Sequence, residues 1–261
     1  MKIVVCIKQV PDTTEVKLDP KTGTLIRDGI PSIMNPDDKG GLEYALQLKD
    51  EYGAEVTVIT MGPPQADAVL REAFAMGADR AILLTSRKFA GADTLATSNA
   101  LAGALKVLDF DLVLAGRQAI DGDTAQVGSQ IAEHLGIPQV SYLEDLKFDG
   151  KKTLRIKKQL EDGYQIVEVD TPCLLTCLAS AVKPRYMSVS GIMDAWNKEV
   201  EIWDTDKIDV AEEKLGLKGS PTKVKKAGAK EMKAAGVVKD GLSAEEAADA
   251  IIEKLKEKFI I

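Results

Sequence analysis

The sequence predicts an α/β fold: a mostly parallel, doubly wound sheet that antiparallel strands extend and a C-terminal arm and helix complete. Three observations predict it. Short apolar runs alternate with amphipathic runs over residues 1–135, the signature of strand–helix–strand units. A glycine-bearing loop, Gly116 to Val127, joins one such apolar strand to the helix after it. Beyond residue 140 the pattern changes to strands separated by Asp149-Gly150 and Asp162-Gly163, which are hairpin signals.

The elements follow in order. Ile3–Val10 reads as the first strand. A hairpin is expected next, Val16–Leu18 with Leu25–Arg27, turning at Asp19-Pro20-Lys21-Thr22-Gly23. Leu42, Ala45, Leu46 and Lys49 recur at helical spacing and predict a helix over about 40–52. Glu55–Thr60 is the second strand, and Ala66–Met76 a helix that Gly77 ends. Arg80–Leu84 is the third strand, Thr94–Leu108 a helix, Asp111–Ala115 the fourth strand, and Val127–Leu135 a further helix. Right-handed crossovers place the carboxyl ends of these strands along one edge, where open α/β sheets bind ligands. Val5–Val10, Thr60–Gly62 and Ala115–Gln118 all reach that edge. Leu143–Phe148, Thr153–Leu160 and Tyr164–Val169 read as antiparallel strands that extend the sheet, and Cys173–Leu178 as a further apolar strand.

The loop has its own chemistry. A strand-to-helix turn leaves backbone N–H groups unpaired at the helix start, and these favour phosphate. The segment Gly116-Arg117-Gln118-Ala119-Ile120-Asp121-Gly122-Asp123-Thr124-Ala125-Gln126-Val127 lacks both the P-loop ending and the G-x-G-x-x-G fingerprint. Arg117 is its one fixed positive charge, with a planar fork suited to phosphate or a flavin carbonyl. Gly122 lets a ligand approach the backbone. Thr124 and Gln126 offer neutral hydrogen-bonding groups, and Asp121 suits ribose hydroxyls or structural N–H groups better than phosphate. Asp123 with Gln126 also fits a loose capping box. On its residues alone the loop could equally be an ordinary tight turn.

Composition narrows the classes. The chain has 261 residues, 45% apolar and 29% charged, as in a water-soluble globular protein. A net charge of −7 argues against general nucleic-acid binding. No apolar run approaches the roughly 20 residues that span a membrane, so no membrane insertion is expected. Lys8 and Asp12 cut short the apolar start, so Met1–Val5 reads as a strand rather than a signal peptide. Cys6, Cys173 and Cys177 lack metal-ligand spacing and read as buried hydrophobes in a reducing, cytoplasmic setting; no metal is expected. His134, the only histidine, sits beside Glu133 and reads as a surface residue, which disfavours a Ser-His-Asp triad. Met187–Trp203 places Ile192, Met193, Trp196 and Trp203 among polar residues, either as a recognition loop or as part of the chain's own core. Lys218, Lys223, Lys225, Lys226, Lys230 and Lys233 with Gly219, Pro221 and Gly228 read as an extended basic arm. Ser243 caps a final helix over 244–258, with Ala247, Ile251 and Leu255 on one face. The domain reading is therefore 1–215 and 216–261.

The loop resembles the nucleotide signature of the electron-transferring flavoprotein β subunit. So do Lys2–Asp12, Ser32-Ile33-Met34-Asn35-Pro36-Asp37-Asp38, Ala73–Arg80, and Lys183-Pro184-Arg185-Tyr186 followed by Ile192-Met193, in the same order over about residues 1–260. The resemblance implies a heterodimer with an α subunit that holds FAD, the arm wrapping around it. It implies nucleotide contacts at Cys6 (through its backbone), Asn35, Asp38, Met61 and 116–127. Plain core packing for Cys6, and helix capping for Asn35 and Asp38, remain open on the residues alone. The stretch 184–203 would be a recognition loop for an acyl-CoA dehydrogenase, with Ile192 and Met193 as its anchor region. Ordinary members hold a structural AMP here. Electron-bifurcating members hold a second FAD, which takes hydride from NADH and passes one electron to ferredoxin or flavodoxin. Gly122, where AMP-binding members often carry Asp, and Val10-Pro11-Asp12-Thr13-Thr14 resemble the bifurcating group. The chain would be an electron carrier without catalytic side chains and, if bifurcating, a subunit of an NADH-dependent flavin oxidoreductase acting with an acyl-CoA dehydrogenase. Two rivals share the fold: a nucleotide-sensing regulator of the universal-stress-protein type, and an adenylating or pyrophosphatase-like enzyme. The second would want more phosphate-facing charge than Arg117 alone.

Overall fold

The computed structural model describes residues 1–12, 31–223 and 236–261. The expected hairpin at 16–27, Thr13, Thr14, and Lys225, Lys226, Gly228, Lys230 and Lys233 of the arm lie outside the described residues. The chain divides into two compact units, the described residues up to 223 and residues 236–261.

The first unit is built on a nine-stranded sheet. Its strands are β1 (Lys2–Cys6), β4 (Glu55–Met61), β5 (Arg80–Leu84), β6 (Leu112–Gly116), β7 (Gln139–Phe148), β8 (Thr153–Leu160), β9 (Gly163–Asp170), β10 (Cys173–Cys177) and β11 (Val200–Trp203). A separate antiparallel pair joins β2 (Gln9–Pro11) and β3 (Ser32–Met34). The order is β11-β5-β4-β1-β6-β10-β7-β8-β9. Every pairing from β11 to β7 is parallel, and β7-β8 and β8-β9 are antiparallel. Helices α1 (Pro36–Tyr52) and α2 (Asp67–Met76) pack with Ile3, Val5 and Ile7 on one face. On the other face, α3 (Thr94–Leu105) and α4 (Val127–Leu135) pack with Val4 and Cys6. The alternation along β1 thus feeds two cores, and each fully buried Leu or Ile contributes roughly 2 kcal/mol.

Four local readings change. The first strand splits after Cys6, because the Lys8 N–H turns out of the sheet to donate to Asp38 Oδ2 at 2.7 Å. The helix α1 starts at Pro36, whose fixed φ and missing donor suit a first turn. Trp203 is buried and belongs to β11, where Val200 and Trp203 are buried in the cores on opposite faces of the sheet and Ile202 is exposed; the predicted recognition stretch therefore ends in an edge strand. His134 is half-buried, with Nε2 3.1 Å from the hydroxyl of fully buried Ser98, and burial lowers its pKa. The apolar periodicity of α3 and α4 carries the imidazole into their contact.

The segment after 215 stays with the first unit. Ser220 accepts from Asp93 N–H at 2.9 Å and donates to Gly216 O at 2.8 Å. Thr222 donates twice to Asp93 Oδ2, at 3.1 and 2.8 Å. These bonds place the unit boundary beyond 215–216. In the second unit, α6 (Ala244–Glu257) opens with a complete capping box of Ser243 and Glu246. Ile251, Ile252 and Phe259 are exposed.

Candidate functional site at the carboxyl edge of the sheet

Sequential strands run from β1 outward to β5 with helices on one face, then cross to β6 with α3 on the other. This reversal puts the topological switch point between β1 and β6. The loop 117–126 leaves β6 at that point.

Three residues at the start of α1 hold the loop. Asn35 is fully buried; its Nδ2 donates to Gln118 O at 2.8 Å and its Oδ1 accepts from Ile120 N–H at 3.1 Å. Its side chain makes no helix cap. Asp38 accepts from Gly116 N–H at 2.9 Å and Lys8 N–H at 2.7 Å. Asp37 accepts from Ala179 N–H at 2.8 Å and Gln118 N–H at 3.4 Å. Two adjacent carboxylates thus gather N–H groups from the ends of β1, β6 and β10. Such anions at a helix N-terminus are also favoured by the macrodipole. Burial nonetheless raises the Asp38 pKa to about 7 against its hydrogen bonds. Gly116 is required by this approach: a Cβ there would lie 2.1 Å from Asp38 Oδ1 and 2.9 Å from Asp37 Cβ.

The rest of the loop faces outward. Residues 121–126 are exposed in the chain as it stands. Ala119 O accepts from Gly122 N–H at 3.2 Å and Asp123 N–H at 2.9 Å. Asp123 adopts φ +49° and accepts from Gln118 Nε2 at 2.8 Å. It does not cap α4: the cap position is Gln126, which makes no side-chain cap bond there. Gln126 instead accepts from the Thr94 hydroxyl at 2.9 Å, so the starts of α3 and α4 meet beside the loop. Asp121 pairs with Lys8 Nζ at 2.7 and 2.8 Å. Ala125 also has positive φ, +51°. Among the described residues, the N–H groups of Thr124, Ala125 and Gln126 meet no protein acceptor. A Cβ on Gly122 would meet nothing within 4 Å. The Arg117 Nε is buried, lacks a hydrogen-bond partner, and lies 3.3 Å from Asp37 Oδ2. These features fit a nucleotide: free N–H donors and a guanidinium, ion-paired to Asp37, for phosphate or carbonyl oxygen, and open space at Gly122.

Cys6 lies in the core shared with α3 and α4, and Met61 and Val127 pack against that same core. They are brought to one side of the loop, while Asn35 and Asp38 lie on the other and spend their side chains on protein groups. Burial pushes the Cys6 thiol up to about 12, with Asp38 adding to the effect, so it is not a nucleophile at neutral pH. Lys8 and Thr94 join the site although sequence reasoning gave them no role there, and so does Asp37, which was read only as part of the segment 32–38. Pro36-Asp37-Asp38, a proline and two acids opening a helix, was the available signal. Ile192 and Met193 stand apart, exposed on α5 (Val189–Ala195), a short helix where a loop was expected. Among the described residues, no group of His, Cys, Asp and Glu is placed to hold a metal, and no helix is long and apolar enough to cross a membrane.

The fold defines an open-sheet α/β protein whose loop 117–126 lies at the topological switch point. The family model described as "Electron transfer flavoprotein domain" matches residues 22–208, and the chain belongs to this family, among its β subunits. It is 62% identical over 261 residues to the "Electron transfer flavoprotein subunit beta" of Clostridium acetobutylicum, covering 100% of both chains. It is 57% identical over 263 residues to the "Caffeyl-CoA reductase-Etf complex subunit CarD" of Acetobacterium woodii, again covering 100% of both. Identity to the "Acryloyl-CoA reductase electron transfer subunit gamma" of Anaerotignum propionicum is 47% over 270 residues, with 100% of both covered. Electron transfer is therefore the chain's broad role.

Proposed function

We propose that the crevice holds FAD, and that the chain works in a heterodimer with an FAD-bearing α subunit. NADH is the electron donor. Ferredoxin or flavodoxin, and an acyl-CoA dehydrogenase reached through the α-subunit flavin, are the acceptors. The observation that carries this reading is the exposed turn in which a Cβ on Gly122 would meet open space and, among the described residues, the Thr124, Ala125 and Gln126 N–H groups meet no protein acceptor. A side chain-free position leaves room for a diphosphate, and the flanking Asp121 and Asp123 carboxylates are engaged by Lys8 and Gln118. Relatives named for two CoA reductases support the acyl-CoA side of the reading.

Bound flavin would supply the redox chemistry, since no side chain here can. The protein's part is placement. Asn35 and Asp38 hold the loop backbone, and the loop N–H groups meet phosphate. Arg117 offers its guanidinium to a phosphate or flavin oxygen and favours negative charge there. Cys6, Met61 and Val127 wall the adenine side. Ile192 and Met193 supply the apolar anchor for the dehydrogenase.

The test is the nucleotide content of the heterodimer co-expressed with its α subunit. Two FAD and no AMP per heterodimer are expected. One FAD with one AMP would make this chain a structural nucleotide binder, and the NADH role would fall. No flavin-bearing partner at all would favour a nucleotide-sensing regulator.

A further inference from the structure

We propose that Arg71 is the positioning residue that sets the docking helix α5; the inference rests on the reading of Ile192 and Met193 as the partner anchor. A helix of seven residues is not stable alone. Its last carbonyls also lack intrahelical partners. Of its residues only Ala195 is buried. Its geometry must come from what it rests on, and that support is α2.

Arg71 on α2 does most of this. Its Nη1 donates to Ala195 O at 2.7 Å and to Lys198 O at 2.5 Å, closing the carbonyl end of α5. Its Nε donates to Asp67 Oδ2 at 3.1 Å, one turn earlier on α2, which fixes the plane of the guanidinium. The same group lies 5.7 Å from the centre of the Trp196 ring. At the other end Gly191 lies over α2 so closely that a Cβ would come 2.4 Å from Ala75 O. Lys198 adds a bond from Nζ to Ala78 O at 3.0 Å. The helix is thus pinned at both ends through backbone, and its side chains are left free. Met193 is 68% exposed and Trp196 71% exposed, which leaves them available to a partner. Lysine cannot replace Arg71, because a point-like ammonium cannot span two carbonyls and a carboxylate in one plane.

The test uses the intact heterodimer and an acyl-CoA dehydrogenase from the same organism that accepts electrons from the unmodified protein. Arg71→Ala and Gly191→Ala should each raise the KM for the dehydrogenase about tenfold, with kcat and nucleotide content within twofold. Arg71→Lys should recover only part of the loss. Hydrogen exchange at the Ile192 and Lys198 amides should speed up in Arg71→Ala even if the variant is too unstable for kinetics. Met193→Asp is the control for the docking reading. If Met193→Asp raises KM while Arg71→Ala and Gly191→Ala leave it unchanged, the role of Arg71 is overturned and docking stands. If Met193→Asp also leaves KM unchanged, the docking reading fails and takes the inference with it.

Discussion

Asp38 and Gly116 are bound carboxylate to amide at 2.9 Å, and the contact exists because position 116 has no side chain. A methyl group there would overlap the carboxylate and the Asp37 side chain together. Gly116→Ala is therefore expected to lower stability by about 3 kcal/mol, as overpacking against fixed backbone does. Denaturant unfolding of the heterodimer measures it. A change below about 0.5 kcal/mol would mean that α1 slides away at little cost.

Asn35 joins two backbone groups of the loop, Gln118 O and Ile120 N–H, and among the described residues no other side chain bonds either group. Asn35→Ala leaves Gln118 O and Ile120 N–H to find water in a covered place. A loss of about 2 kcal/mol is expected, with less retained nucleotide. Thermal unfolding and nucleotide analysis of the purified heterodimer report the two effects separately.

Arg117 tests the cofactor directly. Arg117→Ala should cut retained FAD about tenfold, the scale of one lost charge-assisted hydrogen bond. The midpoint potential of any flavin that remains should fall. Unchanged content and potential would remove Arg117 from the site.

Gly122→Asp separates ligand effects from folding. The added side chain meets open space, so stability should stay within about 0.5 kcal/mol. Retained FAD should drop, because a carboxylate would stand beside the diphosphate. Equal FAD content in variant and parent would show that Gly122 does not discriminate.

The pH dependence follows from Asp38. Its folded pKa, about 7, lies above the ordinary aspartate value of about 3.9, so the folded chain holds the extra proton between those values. Stability from this group is full below about pH 4 and declines as pH rises toward 7. His134 acts oppositely: its lowered pKa favours stability as pH rises through the ordinary histidine range. Comparing Asp38→Asn with the parent across pH 4–8 isolates the first effect. The parent should lose stability relative to the variant as pH rises. A flat difference would show that Asp38 stays ionised throughout.

The parallel strands were legible because burial on both faces writes continuous apolar runs, as in Arg80–Leu84, and Gly77 marked a helix end without ambiguity. The site loop was legible as a strand-to-helix turn. Its internal wiring was not. Asn35 and Asp38 were read as facing a ligand or capping a helix, and their side chains bond backbone 78 to 85 residues away. Nothing in local spacing encodes such partners. Asp123 failed as a cap for a related reason: positive φ turned it back toward Gln118. Trp203 stayed open between a recognition loop and the chain's own core because a four-residue edge strand is too short to display its alternation.

Strand β10 sits between β6 and β7, yet it is the last of the three to be synthesised. On the ribosome, β5, β4, β1 and β6 can assemble as soon as residue 116 has emerged. The meander of β7, β8 and β9 must wait beside an open seam until residues 173–177 arrive to join the two parts. Completion of the sheet is thus tied to a late instalment of the chain, and a transcript cut short before that point yields two sheets with unpaired edges instead of one.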